Sequence, residues 1–126
     1  MCGIVGLFLK DPKLEPQLGA MLTDMLITMT DRGPDSAGIA IYSSGKADSG
    51  KLTVQSATPD VDFHNLDADL KDAIGKPVLM LVKSSHAVLE VPADQLDAAR
   101  SALSHLRPNV KVMSSGEGIE IYKEVG

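Results

Sequence analysis

The sequence predicts an α+β fold in which an inserted subdomain interrupts a smaller N-terminal unit. Between residues 51 and 115, short apolar strands and amphipathic helices follow each other in the order β-α-β-β-α-β. Two further apolar stretches flank this run, GIAIY at 38–42 and IEIYKEV at 119–125, and we expect them to be neighbouring strands. A length of 126 residues suits one domain with a small insertion.

The inserted segment is defined by the periodicity of its apolar residues. The predicted elements are, in chain order, strand 51–57, helix 61–74, strand 77–83, strand 86–91, helix 92–106 and strand 109–115. Gly75 directly follows the first helix and is a plausible stop for it. The order is that of the split β-α-β, or ferredoxin-like βαββαβ, fold. We therefore assign residues 46–116 to a ferredoxin-like subdomain, and residues 1–45 and 117–126 to the other unit.

The N-terminal unit begins with the apolar run CGIVGLFL at 2–9, which predicts a buried strand. A helix is predicted over about 14–30, because apolar residues recur there at spacings of three and four, with Pro16 in the first turn. DRGPDSAG then ends the helix, and strand 38–42 follows. We expect the methionines of this helix to fill the core, namely Met21, Met25 and Met29.

Composition and charge exclude several classes of function. The net charge is −5 and Lys and Arg are not clustered, which argues against nucleic acid or an anionic membrane as a partner. No stretch approaches the ~18 consecutive apolar residues of a membrane span. A single cysteine cannot form an internal disulfide and predicts a reducing, cytoplasmic compartment. The three histidines are scattered over the predicted elements and indicate no metal site.

The only cysteine, Cys2, lies directly behind Met1, at the head of MCGIVG. A cysteine thiolate is a strong nucleophile, and a free α-amine, whose reference pKa is about 8, can accept the thiol proton. An N-terminal cysteine therefore carries a nucleophile and its base on one residue. This chemistry requires removal of Met1. The plainer alternative is a small apolar residue that starts a strand.

The second stretch with candidate chemistry is DRGPDSAG at 31–38. It predicts a turn, because Gly33 and Pro34 break the helix while Asp35 and Ser36 can hydrogen bond locally. Loops of this kind often form the edge of an active site, so the turn and a functional role are compatible.

At these two stretches the sequence resembles the class II glutamine amidotransferases, which have the N-terminal-nucleophile hydrolase fold. Residues 2–6, CGIVG, are similar to the opening strand of that family, and residues 32–38, RGPDSAG, to its second signature. The resemblance covers about 2–43 and 119–126 and implies a partial N-terminal-nucleophile hydrolase fold. Among the branches of the family it is most like the amidotransferase-like subunits of glutamate-synthase and N-methylglutamate-synthase type enzymes.

The resemblance implies a role for each matched residue. Cys2 would attack the side-chain amide of L-glutamine, giving a thioester and ammonia for a synthase partner subunit. Arg32 and Gly33 would line the substrate pocket, and Asp35 and Ser36 would support the turn. We expect no cofactor in this chain, since flavin or iron–sulfur groups would lie in partner subunits.

The sequence departs from the family pattern in two places. About 75 residues separate two strands that a short hairpin normally joins, and these residues form the insertion. The family's residues for the glutamine carboxylate, the oxyanion and the glutamine amine would lie beyond Gly126. We therefore expect an N-terminal fragment that is nearly inactive alone, because oxyanion stabilisation is commonly worth ~3 kcal/mol.

Two alternatives to a glutaminase remain open at the level of sequence. The first is a non-catalytic assembly or ligand-binding module built on the ferredoxin-like insertion, in which the Cys2 site is vestigial. The second is a redox-sensing thiol at Cys2, which leaves RGPDSAG unexplained.

Overall fold

The computed structural model describes residues 2–32 and 35–125. The chain divides into two units, one comprising Met1–Ala37 and Glu124–Gly126, the other Gly38–Lys123. The helices are α1 (Leu18–Thr28), α2 (Pro59–Asp62), α3 (Leu66–Ile74) and α4 (Leu96–Leu106), and the strands are β1 (Ser36–Tyr42), β2 (Ser49–Gln55), β3 (Leu79–Lys83), β4 (His86–Pro92), β5 (Lys111–Gly116) and β6 (Ile119–Val125). Helices and antiparallel sheets are thus mixed along the chain, which confirms the α+β class.

Four strands of the second unit form an antiparallel sheet in the order β3-β4-β2-β5. In its register Leu52 of β2 lies opposite Leu89 of β4, and Val54 lies opposite Ala87. Because side chains alternate between the two faces of a strand, these residues share one face, and α3 and α4 cover it. The core consists of Leu52, Val54, Phe63, Leu66, Leu70, Ala87, Leu89, Val91, Ala99 and Leu103.

The segment predicted as one helix over 61–74 is two helices, so that prediction is wrong in the middle. α2 and α3 are separated at Asn65, whose φ of 54° lies in the left-handed region. The end of α3 is as predicted: Gly75 takes a left-handed conformation and its N–H donates to the Lys71 carbonyl at 2.8 Å.

A polar network explains the break between these helices. The buried carboxylate of Asp62 accepts hydrogen bonds from Ser56 Oγ at 2.5 Å and from Thr58 Oγ1 at 2.9 Å. Arg107, which follows α4, donates through Nε to the Asp62 carbonyl at 2.8 Å and through Nη2 to Asp69 Oδ2 at 2.7 Å. The Arg107 guanidinium therefore takes the backbone acceptor that a continuous helix would have used.

The two segments that flank the insertion pair with each other, as expected, in a two-stranded sheet of β1 and β6. β6 also contacts the polar face of the four-stranded sheet. Lys51 Nζ lies 3.1 Å from Glu120 Oε2, and the side-chain amide of Gln55 donates to the Lys123 carbonyl at 2.7 Å.

The predicted buried strand at 2–9 is wrong. Residues 2–9 have no regular secondary structure, and the side chains of Ile4 and Phe8 are 92% and 84% exposed. A strand needs a neighbour to take its backbone hydrogen bonds, and neither sheet found among the described residues includes this segment. An apolar run was therefore not enough to predict a strand.

The helix predicted over 14–30 is also shorter than expected. Pro12–Gln17 is a 3-10 helix, and the α-helix begins only at Leu18. Pro16, expected in the first turn of the α-helix, lies inside this 3-10 segment instead. None of the residues of α1 is buried, so the prediction that Met21 and Met25 fill a core is wrong. No helix in the described part of the chain has the length and apolar character needed to cross a membrane.

Candidate functional site

A tight turn after α1 sets the position of Arg32. The Met29 N–H donates to the Leu26 carbonyl at 3.0 Å, and the Arg32 N–H donates to the Met29 carbonyl at 3.0 Å. The result is a 3-10 turn over Thr30–Arg32. Arg32 therefore lies close to the end of the helix.

The N-terminal segment passes directly over this turn at Gly3. A Cβ built on Gly3 would lie 3.4 Å from Arg32 Cβ and 3.7 Å from Met29 Cβ, and it would overlap the Met29 terminal methyl group. No side chain fits at Gly3 unless Met29 moves. The two predicted motifs, which are about 30 residues apart in sequence, thus meet through the neighbour of Cys2.

The predicted site residues occupy the following places. Cys2 carries a free, exposed thiol, and Arg32 is the exposed last residue of the 3-10 turn. Asp35 and Ser36 are both exposed, and Ser36 opens β1. Gly33 lies outside the described residues. The pocket role of Arg32 and Gly33 and the turn-supporting role of Asp35 and Ser36 stay predictions.

The two candidate reactive groups, the Cys2 thiol and the Arg32 guanidinium, are both exposed in the N-terminal unit. The Cys2 thiol is accessible to a small substrate. The guanidinium of Arg32 is always charged and can donate to a carboxylate or to a carbonyl oxygen. A thiol nucleophile and a cationic donor are the residue types that the capture of a carbonyl compound uses.

Sequence reasoning missed the proximity of Met29 to the N-terminal segment. Met29 was assigned to a core-facing stripe of the helix, whereas it is half-buried beneath Gly3. A signal was present in the sequence, because Met29 is the last apolar residue of the pattern and lies three positions before Arg32.

A separate cluster of charged groups lies between β6 and the polar face of the four-stranded sheet. Glu120 is within 3.1 Å of Lys51 Nζ and 3.6 Å of Lys83 Nζ, and it accepts a hydrogen bond from the Tyr122 hydroxyl. Burial raises the pKa of Glu120, but the hydrogen bonds from Tyr122 and Lys51 outweigh it, so the pKa is lowered. Burial and this same bond raise the pKa of Tyr122. Glu120 thus faces two lysines, and its carboxylate is held ionised among them.

His86 belongs to the same layer and has a structural role there. Its side chain is buried, Nε2 accepts the Lys123 N–H at 3.1 Å, and Nδ1 lies 3.0 Å from Ser85 Oγ. Since Nε2 accepts, the ring proton is assigned to Nδ1. His86 thereby connects β4 to β6. Within residues 2–32 and 35–125, no three His, Cys, Asp or Glu side chains are arranged to hold a metal ion.

A shallow cavity of about 190 Å³ is lined by Ser43, Ser44, Gly45, Lys46, Lys51 and Glu90. Its charged groups have partners: Lys46 Nζ lies 3.2 Å from Glu90 Oε1, which also accepts from Ser49 Oγ at 2.9 Å. Sites for small molecules usually enclose ~300 Å³ or more. The cavity is smaller than such sites, and Lys46 and Glu90 in its lining are paired with each other. We therefore assign no ligand to it.

Comparison with known proteins gives a consistent result for the class of protein. No family model matches the chain. The chain is 58% identical over 126 residues, its whole length, to the glutamine amidotransferase-like protein GlxB of Rhizobium meliloti (strain 1021), of which it spans 42%. It is 57% identical to a putative glutamine amidotransferase of Methanothermobacter thermautotrophicus (strain Delta H) over 42 residues, 33% of this chain and 13% of that protein. Both similarities support a relationship with glutamine amidotransferases.

Proposed function

We propose that the chain is the N-terminal part of a class II glutamine amidotransferase domain, in which Cys2 is the nucleophile that releases ammonia from L-glutamine. The observation that carries the proposal is the contact between the two motifs, with Gly3 seated on Arg32 and Met29. The full-length similarity to a glutamine amidotransferase-like protein supports it. Because the chain spans 42% of that relative, the activity is proposed for the whole protein.

The reaction follows from the groups at the N-terminus. The α-amine of Cys2, free after removal of Met1, accepts the thiol proton, and Sγ forms a bond to the side-chain amide carbon of glutamine. The carbon–nitrogen bond breaks, and the nitrogen takes up the proton and leaves as ammonia. Water then hydrolyses the thioester to glutamate and restores the thiol. Arg32 and Gly33 line the pocket in this proposal, and Asp35 and Ser36 support the turn beside it.

We also propose that residues 46–116 are a ferredoxin-like subdomain inserted into part of an N-terminal-nucleophile hydrolase fold. The β-α-β-β-α-β order, the antiparallel pairing and the two helices on one face of the sheet support this assignment. The match to the Rhizobium meliloti relative spans the whole chain, so it includes this segment. A synthase partner that consumes the ammonia, and a reducing cytoplasmic compartment for the free thiol, complete the proposal.

The decisive experiment is an assay of ammonia release from L-glutamine by the native protein isolated from its own cells, with N-terminal sequencing of the same sample. We expect Cys2 to be the first residue, and Cys2→Ser to reduce the rate at least about 1,000-fold, as for removal of other nucleophiles. The exposed histidine variant His105→Ala is the control and should keep the rate. Retention of Met1, or an unchanged rate in Cys2→Ser, would contradict the proposal.

The second candidate function is a non-catalytic assembly or ligand-binding module built on the insertion. The distribution of buried residues favours it, because the packed core lies in the unit that contains the insertion. Every buried residue found among residues 2–32 and 35–125 lies in the unit Gly38–Lys123. This function would require subunit or ligand association in both the native protein and Cys2→Ser, with no ammonia release from either. Native mass spectrometry of the two proteins separates the candidates.

A further inference from the structure

We infer that strand β3 is a dimerisation surface, at which two copies of the chain pair antiparallel with Leu81 of one copy opposite Leu81 of the other. The inference concerns assembly and does not depend on the proposed glutaminase function. β3 lies at one end of the strand order β3-β4-β2-β5, and within the described part of the chain no strand pairs with its other side. Half of its backbone N–H and C=O groups are therefore available to a further strand.

β3 also exposes apolar side chains that the rest of the sheet does not cover. Leu79, Leu81 and Val82 are 62%, 59% and 48% exposed. Leu81 lies opposite the buried Val88 of β4, so the apolar row across the sheet ends in solvent at Leu81. A second Leu81 would continue that row, because residues directly opposite each other in an antiparallel pair have Cβ atoms about 4.5–5.5 Å apart.

The two edges of the sheet differ in the features that protect a strand from pairing with another molecule. Proteins commonly protect an edge with charged residues, β-bulges or proline. β5 begins with Lys111, and its pairing with β2 shifts register between Thr53 and Val54. β3 pairs with β4 in unbroken register, contains no proline and has one charged residue, Lys83, at its end. β3 is therefore the edge at which a further strand can pair.

A second copy fits this edge because the backbone of β3 is complementary to itself. A two-residue turn at residues 84–85 joins β3 to β4. The residues that flank such a turn bond to each other, and the bonding direction alternates along a strand, so the backbone groups of Met80 and Val82 point to the open edge. Pairing centred on Leu81 places Met80 of one copy opposite Val82 of the other, where the two can exchange backbone hydrogen bonds in both directions.

The same pairing keeps like charges apart. It places Lys83 of each copy opposite Leu79 of the other, so the charged residue of β3 does not meet its own kind. A strand of five residues buries less surface than the ~1,000 Å² of a stable interface. We therefore expect a dimer that dissociates on dilution.

Cysteine cross-linking of the full-length protein tests the register directly, in a Cys2→Ser background that removes the exposed thiol of the chain. Leu81→Cys should form a disulfide-linked dimer on mild oxidation, because the two Cβ atoms lie close to the distance that a disulfide spans. Leu79→Cys, on the same face and exposed to a similar degree, is the matched control. Its two copies would lie roughly 13 Å apart along the strands, which is too far for a disulfide.

A mixture of two variants checks the same register from a second position. Leu79→Cys mixed with Lys83→Cys should give the mixed disulfide, since these residues lie opposite each other in the dimer, whereas Lys83→Cys alone should give none. Equal cross-linking of Leu79→Cys and Leu81→Cys would indicate random collisions. That result, or no cross-linking of Leu81→Cys, would overturn the inference.

Sedimentation velocity of the native full-length protein measures the dimer without cross-linking. The dimer fraction should rise over about a 100-fold range of protein concentration. Leu81→Lys should weaken dimerisation at least about 10-fold, because it sets two like charges opposite each other at the centre of the pair. Ser104→Lys adds the same charge to an exposed position of α4 and should leave the dimer unchanged.

A dimer that is insensitive to Leu81→Lys would place the contact elsewhere and overturn the inference. A monomer at every concentration would overturn it as well. Protection of the β3 amides from hydrogen exchange in such a monomer would assign this edge to a segment of the same chain instead of a second copy.

Discussion

The two units of the chain differ sharply in how they bury their apolar side chains. In Gly38–Lys123, two helices cover one face of a four-stranded sheet, and side chains such as Leu52 and Leu70 are fully buried. In Met1–Ala37, none of the described residues is buried, and Ile27 on α1 is 65% exposed. Both regions carry amphipathic patterns, so the pattern alone does not decide burial. A segment is buried only where a second element supplies the matching surface.

The residues that stabilise the fold and the candidate reactive residues therefore lie in different units. The buried unit has the contacts that resist unfolding, whereas Cys2 and Arg32, the candidate reactive groups, lie in the unit without a core. Segments that bind ligands are commonly drawn from the less stable parts of proteins.

Truncation of a leucine in each unit should give the largest contrast. Leu70 is fully buried, so Leu70→Ala should lower the free energy of unfolding by ~2–5 kcal/mol through lost burial and a residual cavity. Leu22 on α1 is only half-buried, and Leu22→Ala should cost less than about 1 kcal/mol. Urea unfolding followed by circular dichroism measures both. Equal losses would show that α1 is packed as tightly as the sheet unit.

Substitution of glycine by alanine should have opposite effects on stability in the two units. A Cβ on Gly50 of β2 would lie 2.6 Å from Leu96 Cγ, so Gly50→Ala should destabilise the sheet unit by ~1–3 kcal/mol through overpacking. Gly19 on α1 faces open space, and Gly19→Ala should stabilise the helix by ~1 kcal/mol because alanine has the higher helix propensity. Thermal unfolding and helicity by circular dichroism test the pair.

Leu96→Ala is the control for the mechanism at Gly50. If overpacking is the cause, Gly50→Ala/Leu96→Ala should be less destabilised than the sum of the single changes, because the truncated side chain leaves room for the new methyl group. Additive losses would mean that the contact with Leu96 does not explain the destabilisation by Gly50→Ala.

Sequence patterns predicted the sheet unit well, because its strands and helices bury one apolar face and therefore carry a periodic signal in the sequence. The strand at 51–57 was found at Ser49–Gln55, and the helix at 92–106 is α4 preceded by a 3-10 turn, Ala93–Gln95. The break between α2 and α3 was missed; its Asp62 and His64 carbonyls accept from Arg107, which lies more than 40 residues away. Long-range polar contacts of this kind leave no periodic signal in the sequence.

For the candidate site, the sequence predicted the residue types but not how they are held. Cys2 and Arg32 were singled out by their motifs, and the contact of Gly3 with Arg32 was not foreseen. The strand predicted at 2–9 failed for a physical reason: its apolar side chains have a strand-like pattern, but a strand exists only with a neighbour. The roles of Gly33, Asp35 and Ser36 stay predictions.

The smallest effect that we predict is a pH dependence of the stability of the sheet unit. Hydrogen bonds from Ser56 and then Thr58 lower the pKa of Asp62 below that of an ordinary aspartate, despite its burial. A carboxyl whose pKa is depressed in the folded state contributes stability above its unfolded pKa, and this contribution is lost as the pH falls through the folded pKa. The difference in the free energy of unfolding between the native protein and Asp62→Asn should therefore be largest near pH 7 and shrink below about pH 4.

Ser56→Ala sharpens this test, because it removes the largest cause of the shift and should reduce the acid dependence while Asp62 is still present. Ser104→Ala, an exposed serine on α4, is the matched control and should keep the native pH profile. Urea unfolding at several pH values between 3 and 7 gives the comparison. Parallel curves of unfolding free energy against pH for the native protein and Asp62→Asn would contradict the prediction. They would mean that the pKa of Asp62 is the same in the folded and unfolded states.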